Sequence, residues 1–234
     1  MLISEYKALF VHVPKAAGQS VEDFLLNTLH KNRKENGSEY LLRYNGDPLK
    51  GPERLAHLTA LDYVKYEYIS DELFKEYYKF SIIRNPWSRM FSFYKFRGYS
   101  NLMSFSNFIS HHLPYCFENE HWFFRPQSDF IYDHNDVLLV DFVGKMEDIN
   151  IDFSVIANNL NIKFNTLPRN NHSVSKGLIS RKSLHLIKEQ PSVLKHINFM
   201  PSKYSNYKVA YTDKTLLIVK KYYERDIDLL KYTF

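Results

Sequence analysis

Lys15, Arg84 and Ser92 have the types and spacing to do chemistry, because the first two lie where an apolar run gives way to a helical pattern and Ser92 follows in the second helix. Lys7-Ala-Leu-Phe-Val-His-Val-Pro-Lys-Ala-Ala-Gly-Gln-Ser20 reads as a strand, a small-residue turn carrying a lysine, and the start of an amphipathic helix. A loop at a helix start offers unpaired backbone N–H groups and the positive end of the helix dipole. Lys15 adds a mobile full charge, so the chemistry implied is the holding of a phosphoryl or sulfuryl group. The G-x-x-x-x-G-K-[ST] signature of nucleoside-triphosphate loops is incomplete, since Lys15 precedes Gly18, the only glycine of the turn. That weakens an ordinary triphosphate reading.

A second junction supplies what the first lacks. Phe80-Ser-Ile-Ile-Arg84-Asn-Pro86-Trp-Ser-Arg89-Met-Phe-Ser92-Phe-Tyr94-Lys95 reads as a buried strand, a break, and a helix opened by Pro86, where a missing N–H does no harm. Ser92 falls about two turns into that helix, so a guanidinium and a hydroxyl can converge on one anion. Two such junctions point to a ligand with two separated anionic groups.

With both motifs in view, the chain resembles the carbohydrate sulfotransferases that use 3′-phosphoadenosine 5′-phosphosulfate (PAPS). Pro14-Lys15-Ala-Ala-Gly18-Gln-Ser20 is similar to their 5′-phosphosulfate loop, and Arg84-Asn-Pro86-Trp-Ser-Arg89-Met-Phe-Ser92-Phe-Tyr94 to their 3′-phosphate motif. Weaker similarity runs through Val143-Gly-Lys-Met-Glu147, Asn171-His-Ser173, Tyr211-Thr-Asp213 and Tyr223-Glu-Arg-Asp226. The resemblance implies a P-loop-like fold and binding of the donor by Lys15, Ala16, Ala17, Gly18, Gln19 and Ser20 at its 5′ end. Arg84 and Ser92 then hold the 3′-phosphate, with Ser173 and Lys176 in a loop over it. His57, in Leu55-Ala-His-Leu-Thr-Ala-Leu-Asp62, resembles the histidine to which related glycan sulfotransferases assign the base role. A neutral imidazole is available at cellular pH, and a hydrogen-bonded structural histidine is the other reading. His12 resembles a structural residue of the family. Gln127 is similar to a glutamine near acceptor or cofactor, against an exposed loop residue, and Arg125 is a candidate for receiving an anionic glycan. Ser20 reads equally as a helix cap, and Arg89 reads as a ligand contact or equally as a surface or helix-pairing residue. Ala17 and Gln19 depart from the Gly and Thr common in relatives, and Asn85 from Asp.

The implied activity is in-line transfer of a sulfuryl group from PAPS to a hydroxyl, with a carbohydrate as expected acceptor. Lys15 stabilises the leaving phosphate and His57 accepts the proton. Two other readings remain open at this point: a small-molecule or nucleotide kinase with a degenerate loop, and a non-catalytic nucleotide- or polyanion-binding protein that would not need His57.

Composition is compatible with any of these. The 234 residues, 44% hydrophobic and 16% aromatic, can bury one substantial core and exclude a disordered chain, so a single domain over 1–234 is expected. A net charge of +5 biases the protein mildly towards anionic partners, and no basic block resembles a nucleic-acid tail. Cys116, the single cysteine, excludes an intrachain disulfide and reads as a small buried hydrophobe. Dispersed His, Asp and Glu give no metal-ligand spacing, so no metal is expected. No apolar stretch approaches membrane-spanning length, and no leader is legible. Animal relatives are Golgi-anchored, so a soluble, cytoplasmic, bacterial-type member, or a trimmed chain, is expected; oligomeric state is not legible.

The elements that must position these residues alternate, which predicts an α/β fold, a P-loop NTPase-like central parallel sheet flanked by helices, doubly wound. Strands are expected up to Val13, at Phe80–Ile83, within Val137–Val143 and, briefly, at Tyr40–Tyr44. A helix after the first turn places Val21, Phe24, Leu25 and Leu29 on one face. Others are expected from Ser70, after Pro86, at Ser104–Leu113, Phe153–Leu160, Arg181–Lys188 and Lys214–Tyr223, with an irregular aromatic segment at Tyr115–Phe124. In such sheets, ligands bind beyond the carboxyl ends of the strands, where both motifs fall.

Overall fold

A computed structural model describes residues 1–168, 180–198 and 204–234. The chain divides into two compact units, Met1–Arg84 with Arg125–Asn170, and Asn85–Phe124 with Asn171–Phe234.

The first unit carries a sheet of β1 (Leu2–Ile3), β2 (Ala8–Val11), β3 (Tyr78–Ile83) and β4 (Phe142–Lys145) in that spatial order. Strands β2, β3 and β4 are parallel, with Phe10 opposite Phe80 and Phe80 opposite Phe142. The short β1 pairs antiparallel with β2, so the sheet is mixed rather than wholly parallel. The strands also follow chain order, without the order reversal of a doubly wound sheet. β2 is apolar, and both β2 and β3 are buried almost throughout, as strands covered on both faces must be.

One face of this sheet makes the core. Ala8, Phe10, Phe80 and Ile82 meet Val21, Leu25 and Leu26 of helix α1 (Gly18–Thr28) and Phe153, Ile156 and Ala157 of the helix Ile149–Asn159. The expected stripe on α1 is therefore the packed face; Phe24 meets Phe153 edge-on at 5.3 Å. The expected Tyr40–Tyr44 strand reduces to an isolated bridge between Tyr44 and Arg54. Turns intervene there, with Leu41 left-handed and the Leu42 N–H bonded to Gly37 O at 2.7 Å.

The regular elements among the described residues of the second unit are helices, including Pro86–Arg97, Leu113–Asn119, Arg181–Glu189 and Asp213–Tyr222. The aromatic segment expected to be irregular folds as the helices Leu113–Asn119 and His121–Phe124. Tertiary packing overrides weak propensity there: Phe124 stacks on Phe93 at 4.5 Å, and Phe117 meets Tyr223 at 5.4 Å. A π-helical turn over Phe108–His112 precedes Pro114, whose ring and absent N–H cannot join a regular turn.

Candidate functional site

The turn after β2 is built from left-handed residues that are not glycine. Lys15 has φ 68° and Ala17 φ 62°, either side of the buried Ala16. Alternation of this kind turns neighbouring N–H groups towards a common concavity that suits an anion. Helix α1 follows at once, capped by Ala17 with no side-chain cap and with no acidic residue in its first turn. Its positive end is therefore not neutralised from its own sequence. Ser20 lies within the first turn of α1, so the reading of Ser20 as the helix cap is corrected: the cap position belongs to Ala17.

The turn after β3 comes to the same edge. Val11 and Ser81 pair in register, so the chain leaves both parallel strands side by side. Arg84 follows Ile83 and donates from Nη1 to the carbonyl oxygen of Lys15 at 3.3 Å. Its backbone is held by Gln127, whose Oε1 accepts from the Arg84 N–H at 2.8 Å and whose Nε2 donates to the Arg84 carbonyl at 2.7 Å. Gln127 is fully buried, which overturns its reading as an exposed loop residue. Its amide acts as a substitute strand partner where β3 ends, and so aims Arg84.

His57 closes a short 3-10 turn, Leu55–His57, with its N–H on Arg54 O at 2.9 Å. Thr59 and Asp62 then form a capping box that starts the helix Ala60–Lys65 and fixes the chain leaving His57. The half-buried ring of His57 donates from Nδ1 to His12 O at 3.1 Å and meets the His12 ring edge-on, centroids 4.4 Å apart. Burial and repulsion from His12 push its pKa down to about 3, against a smaller opposite effect of Glu22. The ring is thus neutral, with Nε2 as its proton-accepting atom.

Behind it stands a buried pair that sequence reasoning missed. Glu22, fully buried on α1, takes the His12 Nδ1 on Oε1 at 2.6 Å and Arg33 Nη2 on Oε2 at 2.8 Å. Burial would raise this carboxyl, but His12 and Arg33 outweigh it and hold it at about 2. Its signal was legible: Glu22 interrupts the apolar stripe of α1 and lies one turn from Gly18 on the same face. Gly18 itself is required by contact, since a Cβ there would lie 2.0 Å from the His12 ring.

The structure thus brings together Lys15, Ala16, Ala17, Gly18, Arg84, Gln127, His12 and His57 in the first unit. Arg125, in the same unit, forms an ion pair with Asp129 at 3.4 Å and lies over the Phe130 ring at 5.5 Å. Ser92 is half-buried on the Pro86–Arg97 helix of the second unit. There Arg89 is buried, its guanidinium 4.9 Å from the Phe93 ring and 5.8 Å from that of Tyr223, which removes the surface reading for it. Ser173 and Lys176 lie outside the described residues. Cys116 is buried, and burial pushes its thiol up to about 12. Among the described residues no group of three or more His, Cys, Asp or Glu is placed to hold a metal ion, and no helix is long and apolar enough to cross a membrane.

No curated protein matches the chain. The sequence model of the sulfotransferase family matches residues 1–233.

Proposed function

The chain belongs to the sulfotransferase family, and on that premise we propose that it moves a sulfuryl group from PAPS to a hydroxyl of a carbohydrate acceptor. The observation that carries this reading is the 3.3 Å hydrogen bond from Arg84 to the Lys15 carbonyl. It ties Arg84 to the backbone of the Lys15 turn, beside a helix start with no side-chain cap, and two anion-binding turns at one sheet edge suit a donor with two anionic ends.

In this reading Lys15 and the first N–H groups of α1 hold the 5′-phosphosulfate, while Arg84 holds the 3′-phosphate. PAPS supplies the sulfuryl group and departs as adenosine 3′,5′-bisphosphate. The acceptor oxygen forms the new S–O bond as the bridging S–O bond to phosphate breaks, and Lys15 neutralises charge developing on the bridging oxygen. His57 Nε2 takes the acceptor proton. An imidazole with a pKa of about 3 is a weak base, but it is always in the accepting form at neutral pH. Negative charge on a bound donor raises that pKa and strengthens the base when it is needed.

Thermal stabilisation by adenosine 3′,5′-bisphosphate, compared with ATP plus magnesium, tests the reading. A clear shift with the bisphosphate and little with ATP supports it. Preference for ATP replaces it with the kinase alternative. Binding of the bisphosphate without turnover on any hydroxyl acceptor replaces it with the non-catalytic one.

A further inference from the structure

Resting on the reading of His57 as base, we infer that His12 is a positioning residue for it: bolted to Glu22, it fixes the tautomer and ring orientation of His57. Three contacts and burial immobilise His12. Its Nδ1 is engaged by Glu22 at 2.6 Å, its ring stacks on Phe10 at 5.5 Å, its Cδ2–Nε2 edge lies against Gly18, and it is only 5% exposed. Glu22 is anchored in turn by Arg33, which also binds Asp23 at 2.9 Å. A ring so enclosed is badly placed to meet substrate, but its backbone and its edge both face His57.

The consequence is chemical. A carbonyl oxygen only accepts, so the 3.1 Å contact to His12 O requires the proton of neutral His57 to sit on Nδ1. Nε2 is then the basic atom, and the edge contact with His12 sets the plane in which its lone pair points. The same histidine packs on Gly18 at the start of α1. The titratable groups acting on His57 are His12, Glu22 and the Met1 amino group; the His12 ring and the amine disfavour a proton on it, while the hydrogen bond to the His12 carbonyl and Glu22 favour one.

The test is imidazole nitrogen NMR on the wild type and on His12→Asn, which keeps an N–H for Glu22 but removes the ring. In the wild type His57 shows the Nδ1–H tautomer and no titration above pH 5. In His12→Asn the Nδ1–H tautomer persists, because the backbone carbonyl of position 12 remains, while loss of the ring raises the midpoint towards the ordinary value of about 6.5. With an active acceptor, kcat falls about 10- to 100-fold while the KM for the donor changes less than about threefold. A wild-type His57 in the Nε2–H form overturns the inference even if the variant does not fold, and so does a folded variant with an unchanged His57. The predicted spectra without any sulfuryl transfer leave His12 as the device that orients His57 and sink the functional reading instead.

Discussion

The Arg84 guanidinium donates from Nη1 to the Lys15 carbonyl oxygen across 3.3 Å, tying the turn after β3 to the turn after β2. Parallel pairing of β2 with β3 makes this possible, because it brings both chain exits to one sheet edge. Motifs far apart in the chain thereby become one polar surface.

Arg84→Lys keeps the charge but loses the planar fork that serves the Lys15 carbonyl and an oxyanion at once. Affinity for adenosine 3′,5′-bisphosphate falls by about 1.5–3 kcal/mol, roughly tenfold or more in Kd by titration calorimetry. Unchanged affinity removes Arg84 from the donor site. Lys15→Ala abolishes transfer, and His57→Ala removes turnover but spares bisphosphate binding.

Gln127→Ala leaves the Arg84 N–H and carbonyl without their buried partner and costs about 2–3 kcal/mol of stability by urea denaturation. Gln127→Glu sets an oxygen against the Arg84 carbonyl and costs more. A loss under about 0.5 kcal/mol for both variants shows that the clamp is dispensable.

Neighbouring small residues have opposite outcomes. Ala17 sits at φ 62°, a left-handed conformation that costs a residue with a Cβ about 1–2 kcal/mol, so Ala17→Gly raises stability by about 0.5–1 kcal/mol after the added freedom of the unfolded chain. Gly18→Ala drives a methyl into the His12 ring and lowers both stability and bisphosphate affinity. The urea midpoint, with m unchanged, reads both effects.

Stability falls on the acid side. His57 is held at about 3 and, in the second unit, burial and the neighbouring His196 hold His112 at about 4, against an ordinary 6.5 for both. Below pH 6.5 the unfolded chain takes up protons that the folded one refuses, so stability present above that pH declines towards the folded pKa values. Each group contributes about 1.4 kcal/mol per pH unit. Unfolding free energies from pH 8 to 4.5 show this decline, and His57→Gln removes one such share. An unaltered slope in that variant means that His57 is not held neutral by the fold. Glu22, held at about 2 against 4.5, adds its own loss below pH 4.5.

Much of this was legible in the chain. The strand-turn-helix pattern around Lys15 and Arg84 survives because buried parallel strands and helix starts leave local signatures in residue type and spacing. The Thr59–Asp62 capping box is equally local. The reading failed where packing decides. Leu113–Phe124 is helical because its rings find Phe93 and Tyr223, and the strand order depends on long-range pairing.

By itself the sequence determined the α/β character, the two strand-turn-helix junctions and the identity of the cations and imidazole near them. Those properties reside in short windows, where backbone preference and side-chain type act together. Only the tertiary structure decided which groups meet: Arg84 with Lys15, Gln127 with the Arg84 backbone, and Glu22 with His12 behind His57. Such contacts depend on how strands pair and which helix face is buried, and the interior makes a polar group satisfy itself with whatever partner that packing brings close.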